Sequence, residues 1–362
     1  MQKSVLLCVA IVAGLSAAMA YRSLHKPSAG SSIPRRVVQA YASWRQAHGK
    51  LYATPAEDQY RLAVFHGQLT FVEKSNAEYE AAIAARGETL SGPMFEMNAF
   101  GDLTNEEFLA RYAGDTPIKS EMIEEPTEEI LTPSLEDTEP VMPPRSYGLG
   151  QDTYVPKVKD QGACSSCWAF SACVELEKII FERTKTYVEL SVQEVIDCDT
   201  KSNGCISGLP EDAFNFARAN GLHKASDYPY VTAKGFCNNQ LKTEKYDFSN
   251  LTQVGKYSFN TFRAKAASDH KVFAAVQLKC EGKFRYLSTS DDVYDASLSG
   301  ECEGQVNHGV TMINFGFGKS TITILNSWGT EWGYGGYKQI KICAHNNLWG
   351  WGGRVAYPYN PF

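Results

Sequence analysis

Residues Gln161 to Phe170 read QGACSSCWAF, and Ser171 to Thr184 continue the run as SACVELEKIIFERT. Ser165 and Ser166 separate Cys164 from Cys167, and a long run begins at the second cysteine. In it Val174, Ile179 and Ile180 recur at helical spacing, with Glu175, Glu177, Lys178 and Glu182 expected on the other face. The spacing predicts a helix whose first turn contains Cys167. There the unpaired backbone amides and the helix dipole favour a thiolate over a thiol. Because the thiolate is the form that attacks a carbonyl carbon, Cys167 is the candidate nucleophile.

A cysteine nucleophile needs a histidine to stabilise its thiolate and to protonate the leaving amine, and a third group to orient that ring. His308 lies in VNHGVTMINFGF, an alternating run 141 residues after Cys167, and Asn326 lies in ITILNSWGTEWGYGGY. Gln161, Cys167-Trp168, Asn307-His308-Gly309 and Asn326-Ser327-Trp328-Gly329 occur in that order. Taken together, the chain resembles a papain-family, cathepsin L-like cysteine protease with its propeptide. The family signature C-G-[SA]-C-[WY] appears here as CSSCW, with Ser165 at the glycine.

The resemblance extends upstream. Glu57, Arg61, Phe65, Gln68, Val72 and Asn76 step by four, four, three, four and four, one stripe of a long helix. The stripe resembles the family's propeptide signature, with Gln68 at a usual Asn and Val72 at a usual Ile. FEMNAFGDLTNEEF resembles the second propeptide motif through Asn98, Phe100 and Asp102, with Glu96 at its glycine. The resemblance implies an autoinhibitor over residues 37–112 that runs backwards through the active-site cleft.

Residues 1–20 carry Lys3 and then VLLCVAIVAGLSAAMA, which reads as a secretory signal and is short for a membrane span. Residues 113–143 are expected to be an exposed acidic linker holding the processing site. Glu121, Glu124, Glu125, Glu128, Glu129, Glu136, Asp137 and Glu139 crowd it without periodicity. This cluster should lose charge towards pH about 4, so self-processing is expected to be faster at acid pH. From Arg145 onward there are 23 Lys+Arg and 22 Asp+Glu, against 35 and 41 in the whole chain. The negative charge therefore sits upstream, and nothing points to a nucleic-acid partner.

Residues 144–362 are long enough for a large core. The first part reads as helical, including SVQEVIDC, a capping box in which Glu194 would reach back to Ser191. The later runs VGKYSF, VFAAVQL, VTMINFGF and STITIL read as strands. The expected class is α+β: by resemblance, a papain-like two-lobe fold with a helical lobe and a β-barrel-like lobe, preceded by the helical inhibitor. Cys167 would stand on one wall of the cleft and His308 on the other.

The resemblance also implies individual roles. Gln161 would supply an oxyanion donor, Trp328 would shield the Asn326–His308 hydrogen bond, and Gly208 would pair with the substrate backbone. The family's C-N-G-G appears as Cys205-Ile206-Ser207-Gly208, so Ser207 and Ser165 replace two glycines and a narrower S1 pocket is expected. Asn307 is a common neighbour of the histidine. Leu209 and Gln277 would wall the S2 pocket, with Arg354 at its floor, three residues before Tyr357-Pro358. There an arginine would pair with an acidic P2 side chain. Disulfides Cys164–Cys205, Cys198–Cys237 and Cys302–Cys343 are implied, while Cys173 and Cys280 are expected as thiols, with a bond between them left open. Asn250-Leu251-Thr252 is a glycosylation sequon.

No cofactor is expected, and the scattered histidines show no zinc spacing. The reading is an endopeptidase made as an autoinhibited zymogen, acting through an acyl-enzyme. Its partners are peptide and protein substrates and its own propeptide, and it is expected as a monomer without a stable membrane anchor. The secretory pathway, ending in a lysosome, vacuole or the extracellular space, is the expected location. An exopeptidase, a transpeptidase and an inactive binding homologue stay open at this level.

Overall fold

The computed structural model of the protein describes residues 33–114, 154–251, 253–257, 274–280, 282–301, 306–316, 321–341 and 355–359. The signal segment, the acidic linker, Cys302, Cys343 and Arg354 lie outside these described residues.

Among the described residues the first two helices are α1 (Arg35–Ala47) and α2 (Pro55–Ala84). Contacts divide the chain inside α2, between His66 and Gly67, into two compact units. In the first unit Tyr41, Trp44 and Phe65 are buried together, with Trp44 and Phe65 ring centres 5.1 Å apart. Asp58 accepts from Tyr41 Oη at 2.8 Å and from Arg45 at 2.7 Å, and Arg61 faces Glu57 at 4.0 Å.

In the second unit the remainder of α2 is fixed by its polar stripe. Asn76 Nδ2 donates to the Phe95 carbonyl at 2.8 Å, and the Phe95 amide donates back to Asn76 Oδ1 at 2.9 Å. Gln68 Nε2 donates to the Leu103 carbonyl at 3.2 Å, while Gln68 Oε1 accepts from Tyr286 Oη at 3.0 Å. A glutamine therefore does the tying here, because its longer side chain spans both partners. Next, α3 (Asn105–Tyr112) starts with a complete capping box between Thr104 and Glu107.

The helical half is built on α4 (Cys167–Thr184), with α5 (Val192–Cys198) and α6 (Pro210–Asn220) around it. The expected polar face of α4 is not a solvent face, for Glu175 and Glu177 are both buried. Other elements surround the helix, and each acid is made tolerable differently. Glu177 accepts from Lys159 and from the Leu190 amide, while burial pushes Glu175 up to about 8, so it is held neutral at pH 7.

The expected capping box at Ser191 is only half made. Ser191 Oγ accepts from the Glu194 amide at 2.9 Å, but the Ser191 amide is taken by the His223 carbonyl at 2.9 Å. The Glu194 carboxylate turns inward instead, to the His223 amide and ring at 2.8 and 3.0 Å and to Lys245 at 2.8 Å.

The other half is a seven-stranded sheet. Its strands are β1 (Gln253–Tyr257), β2 (Ala274–Leu278), β3 (Tyr294–Asp295), β4 (His308–Gly316), β5 (Thr321–Leu325), β6 (Tyr337–Lys341) and β7 (Val355–Tyr359). They lie in the order β1-β7-β2-β4-β5-β6-β3, all antiparallel neighbours except the parallel β3–β6 pair. The fold is α+β, as expected, and α4 packs on β4 and β2. The α4–β4 contact is tied by Thr311 Oγ1, which donates to the Ser171 carbonyl at 3.4 Å.

The structure bonds Cys164 to Cys205 and Cys198 to Cys237. Cys173 and Cys280 are buried thiols, so the bond between them is not formed. Asn250 is an exposed turn residue. Among the described residues no helix is long and apolar enough to cross a membrane, and no cluster of metal-ligating side chains occurs.

Candidate active site

Cys167 is the first residue of α4, and no side chain caps that helix. Ser166 occupies the cap position, but its hydroxyl is engaged with Tyr230 Oη at 2.9 Å and the Cys164 carbonyl at 3.3 Å. No acidic residue lies in the first turn either. The positive end of the helix therefore stays available to an anion at Cys167.

His308 opens β4 and is fully buried. Its Nε2 lies 2.8 Å from Asn326 Oδ1, which also accepts from the Ser327 amide at 2.8 Å. Because Oδ1 can only accept, the neutral ring carries its proton on Nε2 and leaves Nδ1 with a lone pair. Nδ1 makes no hydrogen bond among the described residues. Burial pushes the His308 pKa down to about 4, although Asn326 and the Tyr112 carbonyl both favour the cation. Trp328 covers the pair, with its ring centre 4.5 Å from the imidazole.

Gln161 is tied to the same strand end. Its amide donates to the Ser327 carbonyl at 2.8 Å and its Oε1 accepts from Ser327 Oγ at 2.7 Å. With Oε1 so held, Nε2 must point the other way, to the Cys164 carbonyl at 2.8 Å and the Tyr112 carbonyl at 3.4 Å. Tyr230 Oη donates to the Gln161 carbonyl at 2.6 Å. Ser327 and Tyr230 are two positioning residues to which the motif-based reading gave no role; Ser327 sits inside the quoted NSWG, and Tyr230 lies outside every motif quoted above.

The segment from Phe108 to Gly114 lies over this arrangement. Phe108 and Tyr112 stack edge-on against Trp328, at 5.3 and 6.4 Å. Ser165 Oγ donates to the Ala110 carbonyl at 3.4 Å, and the Gly208 amide donates to the Gly114 carbonyl at 2.9 Å. The Gly208 backbone thus engages an extended chain in the cleft. Gly208 also tolerates no side chain: an added Cβ would stand 2.4 Å from the indole of the buried Trp168. Gly208→Ala is expected to destabilise the protein by about 1–3 kcal/mol and to raise KM. A thermal melt and peptide kinetics check this, and an unchanged melt with unchanged KM would refute it.

Other expected site residues are placed less centrally. Ser207 is half-buried beside Gly208, its carbonyl accepting from the Asn203 amide at 2.7 Å. Leu209 caps α6, and Gln277 pairs with Gly309 across β2–β4. Asn307 turns to its own lobe, its Oδ1 accepting from the Cys280 amide at 3.0 Å. A residue missed altogether is Arg285, buried among the same aromatic rings with its Nη2 on the carbonyls of Phe100 and Leu103. No motif surrounds it in the sequence, so only contacts could have found it.

A family model described as papain family cysteine protease matches residues 143–358, and one described as cathepsin propeptide inhibitor domain matches residues 41–108. Papain of Carica papaya is 31% identical over 315 residues, covering 86% of this chain and 83% of its own. Among solved structures, the proform of the Amb a 11 cysteine protease, a ragweed pollen allergen, superposes with a TM-score of 0.66 at 24% identity. It spans 90% of this chain and 95% of that one. The recombinant stem bromelain precursor gives 0.63 at 25% identity, over 89% and 98%.

Proposed function

Since this chain belongs to the papain family of cysteine proteases and is a proform carrying an inhibitory propeptide, we propose that it is an endopeptidase acting through Cys167, His308 and Asn326. The observation that carries this reading is that Gln161 Nε2 donates to the Cys164 carbonyl just before the uncapped helix start bearing Cys167, while its Oε1 accepts from Ser327, the neighbour of the Asn326 that holds His308.

In the active form the Cys167 thiolate and the His308 imidazolium form an ion pair. Sulfur attacks the substrate carbonyl carbon, and the carbonyl oxygen takes the negative charge. The Cys167 amide and Gln161 Nε2 receive that oxyanion, a contribution of about 3–4 kcal/mol per donor in comparable sites. The C–N bond breaks as His308 Nδ1 gives its proton to the leaving amine. Water then loses a proton to Nδ1, attacks the thioester, and releases the acid and the thiolate.

Asn326 acts on this cycle through the ring orientation alone. Asn326→Ala is therefore expected to lower kcat by about 10–100-fold, because proton transfer by a positioned base is worth about 10²–10⁴ and only part of that positioning is lost. Stopped-time assays with a fluorogenic peptide read the effect, and unaltered kcat would contradict the assigned role. A thiol-directed active-site probe should label Cys167 in the processed enzyme; no labelling would remove the proposal.

The organisation that fits this function is a signal at 1–20, the inhibitor at 37–112, a cleaved linker at 113–143 and a mature domain from residue 144. The expected route is the secretory pathway, to a lysosome, vacuole or the exterior. Sequencing the N-terminus of the self-processed protein tests the linker assignment.

A further inference from the structure

Arg285 is a cation whose hydrogen-bond acceptors and facing carboxylates belong to the inhibitor. Its guanidinium lies 4.5 Å over the Phe108 ring and 4.9 Å from its neighbour Tyr286. Its Nη2 donates to the backbone carbonyls of Phe100 and Leu103, and its Nε is buried without a hydrogen-bond partner. The two carboxylates that bear on it, Asp102 and Glu107, also lie in the segment matched by the inhibitor model. Once that segment leaves, the carbonyls, the ring and both acids go with it. A buried cation is then uncovered that was built to take oxygen acceptors.

Its place in the cleft follows from the chain it now holds. Gly114 lies on Gly208, Tyr112 on Gln161, and Phe108 on Trp328 and Arg285. Arg285 is thus on the His308–Trp328 side of Cys167, away from Gly208. Where Gly208 binds the acyl side of a substrate, the opposite side receives the leaving group. We propose that Arg285 selects substrates carrying a carboxylate in the first two residues of the leaving group. The carboxylate can be an Asp or Glu side chain or a free C-terminus. This rests on the protease reading above.

The test uses the processed enzyme and quenched fluorescent peptides that differ at one place only. One arm compares Glu with Gln at the first, then the second, leaving-group residue. The other compares a C-terminal acid with the amide two residues beyond the scissile bond. The acid should be preferred in kcat/KM on the order of tenfold in at least one arm, and which arm responds names the source of the carboxylate. The ratio should fall towards one in Arg285→Gln. Because Arg285 also holds the inhibitor, this variant risks failing to fold as a zymogen. In that case the salt dependence of the ratio in the wild-type enzyme decides, and it should shrink as salt rises. No acid preference in either arm, or a preference that survives Arg285→Gln or high salt, overturns the proposal. Turnover of the Gln and amide peptides keeps that failure distinct from failure of the protease reading, which would abolish cleavage of every peptide.

Discussion

Cys167→Ala is expected to give a chain that accumulates as full-length zymogen and lacks peptidase activity. Removing the nucleophile of a comparable covalent hydrolase costs about 10⁶ in turnover. The physical argument is that each later step depends on the carbon–sulfur bond. Without sulfur, His308 has no ion-pair partner and the oxyanion donors have no tetrahedral intermediate to receive. Stability should move little, because the change removes a single sulfur from a buried side chain at the helix start. The measurement is turnover of a fluorogenic peptide, together with the size of the chain after incubation. Full activity, or normal self-processing without added protease, would refute the mechanism.

Self-processing is expected to accelerate by at least tenfold between pH 6.5 and pH 4.5. Burial, with Trp328 against the ring and the Phe108–Gly114 segment packed on Trp328, holds His308 at about 4, below its ordinary 6.5. A base with a lowered value binds fewer protons in the docked form than in the open form. Docking is therefore strongest above pH 6.5 and weakens as pH falls from 6.5 to about 4. Trp328 and Phe284 stay against His308 after opening, so only part of the roughly 3.4 kcal/mol carried by the full shift is released.

Two carboxylates at the same interface add a second window. Burial pushes Asp292 up, but hydrogen bonds from Ser290 and Ser91 outweigh it and hold the carboxyl below its usual range. For Asp295 burial is likewise outweighed, by Ser297, Lys341 and Arg86. Ser91 and Arg86 both come from the segment after α2. These contributions persist above the ordinary carboxylate value and are lost only as pH falls through the lowered ones, so they extend the effect at the acid end. Equal processing rates at pH 6.5 and 4.5, with no protease added, would sink this account.

The class of the fold, and the residues proposed for the site, could be read from the sequence for a specific reason. The nucleophile, its base and the orienting group each need a fixed local setting, a helix start, a strand start and a turn before SWG. Local settings leave spacing patterns, so Cys167, His308 and Asn326 could be named before any contact was known. The propeptide stripe was legible for the same reason, since one face of a helix repeats regularly.

What the sequence could not express was which polar groups would be enclosed. Glu175 and Glu177 read as a solvent face because periodicity reports alternation, not what lies beyond each face; the surrounding elements bury both. Glu194 read as a reciprocal cap, yet His223 and Lys245, 29 and 51 residues away in sequence, take its carboxylate. Arg285 had no motif at all, and it matters because residues 182–185 positions upstream close over it. The sequence by itself determined the family and its α+β class, through residue types at local positions. Only the tertiary structure decided the burial that holds His308 neutral and masks Arg285, because burial depends on long-range packing that no local pattern encodes.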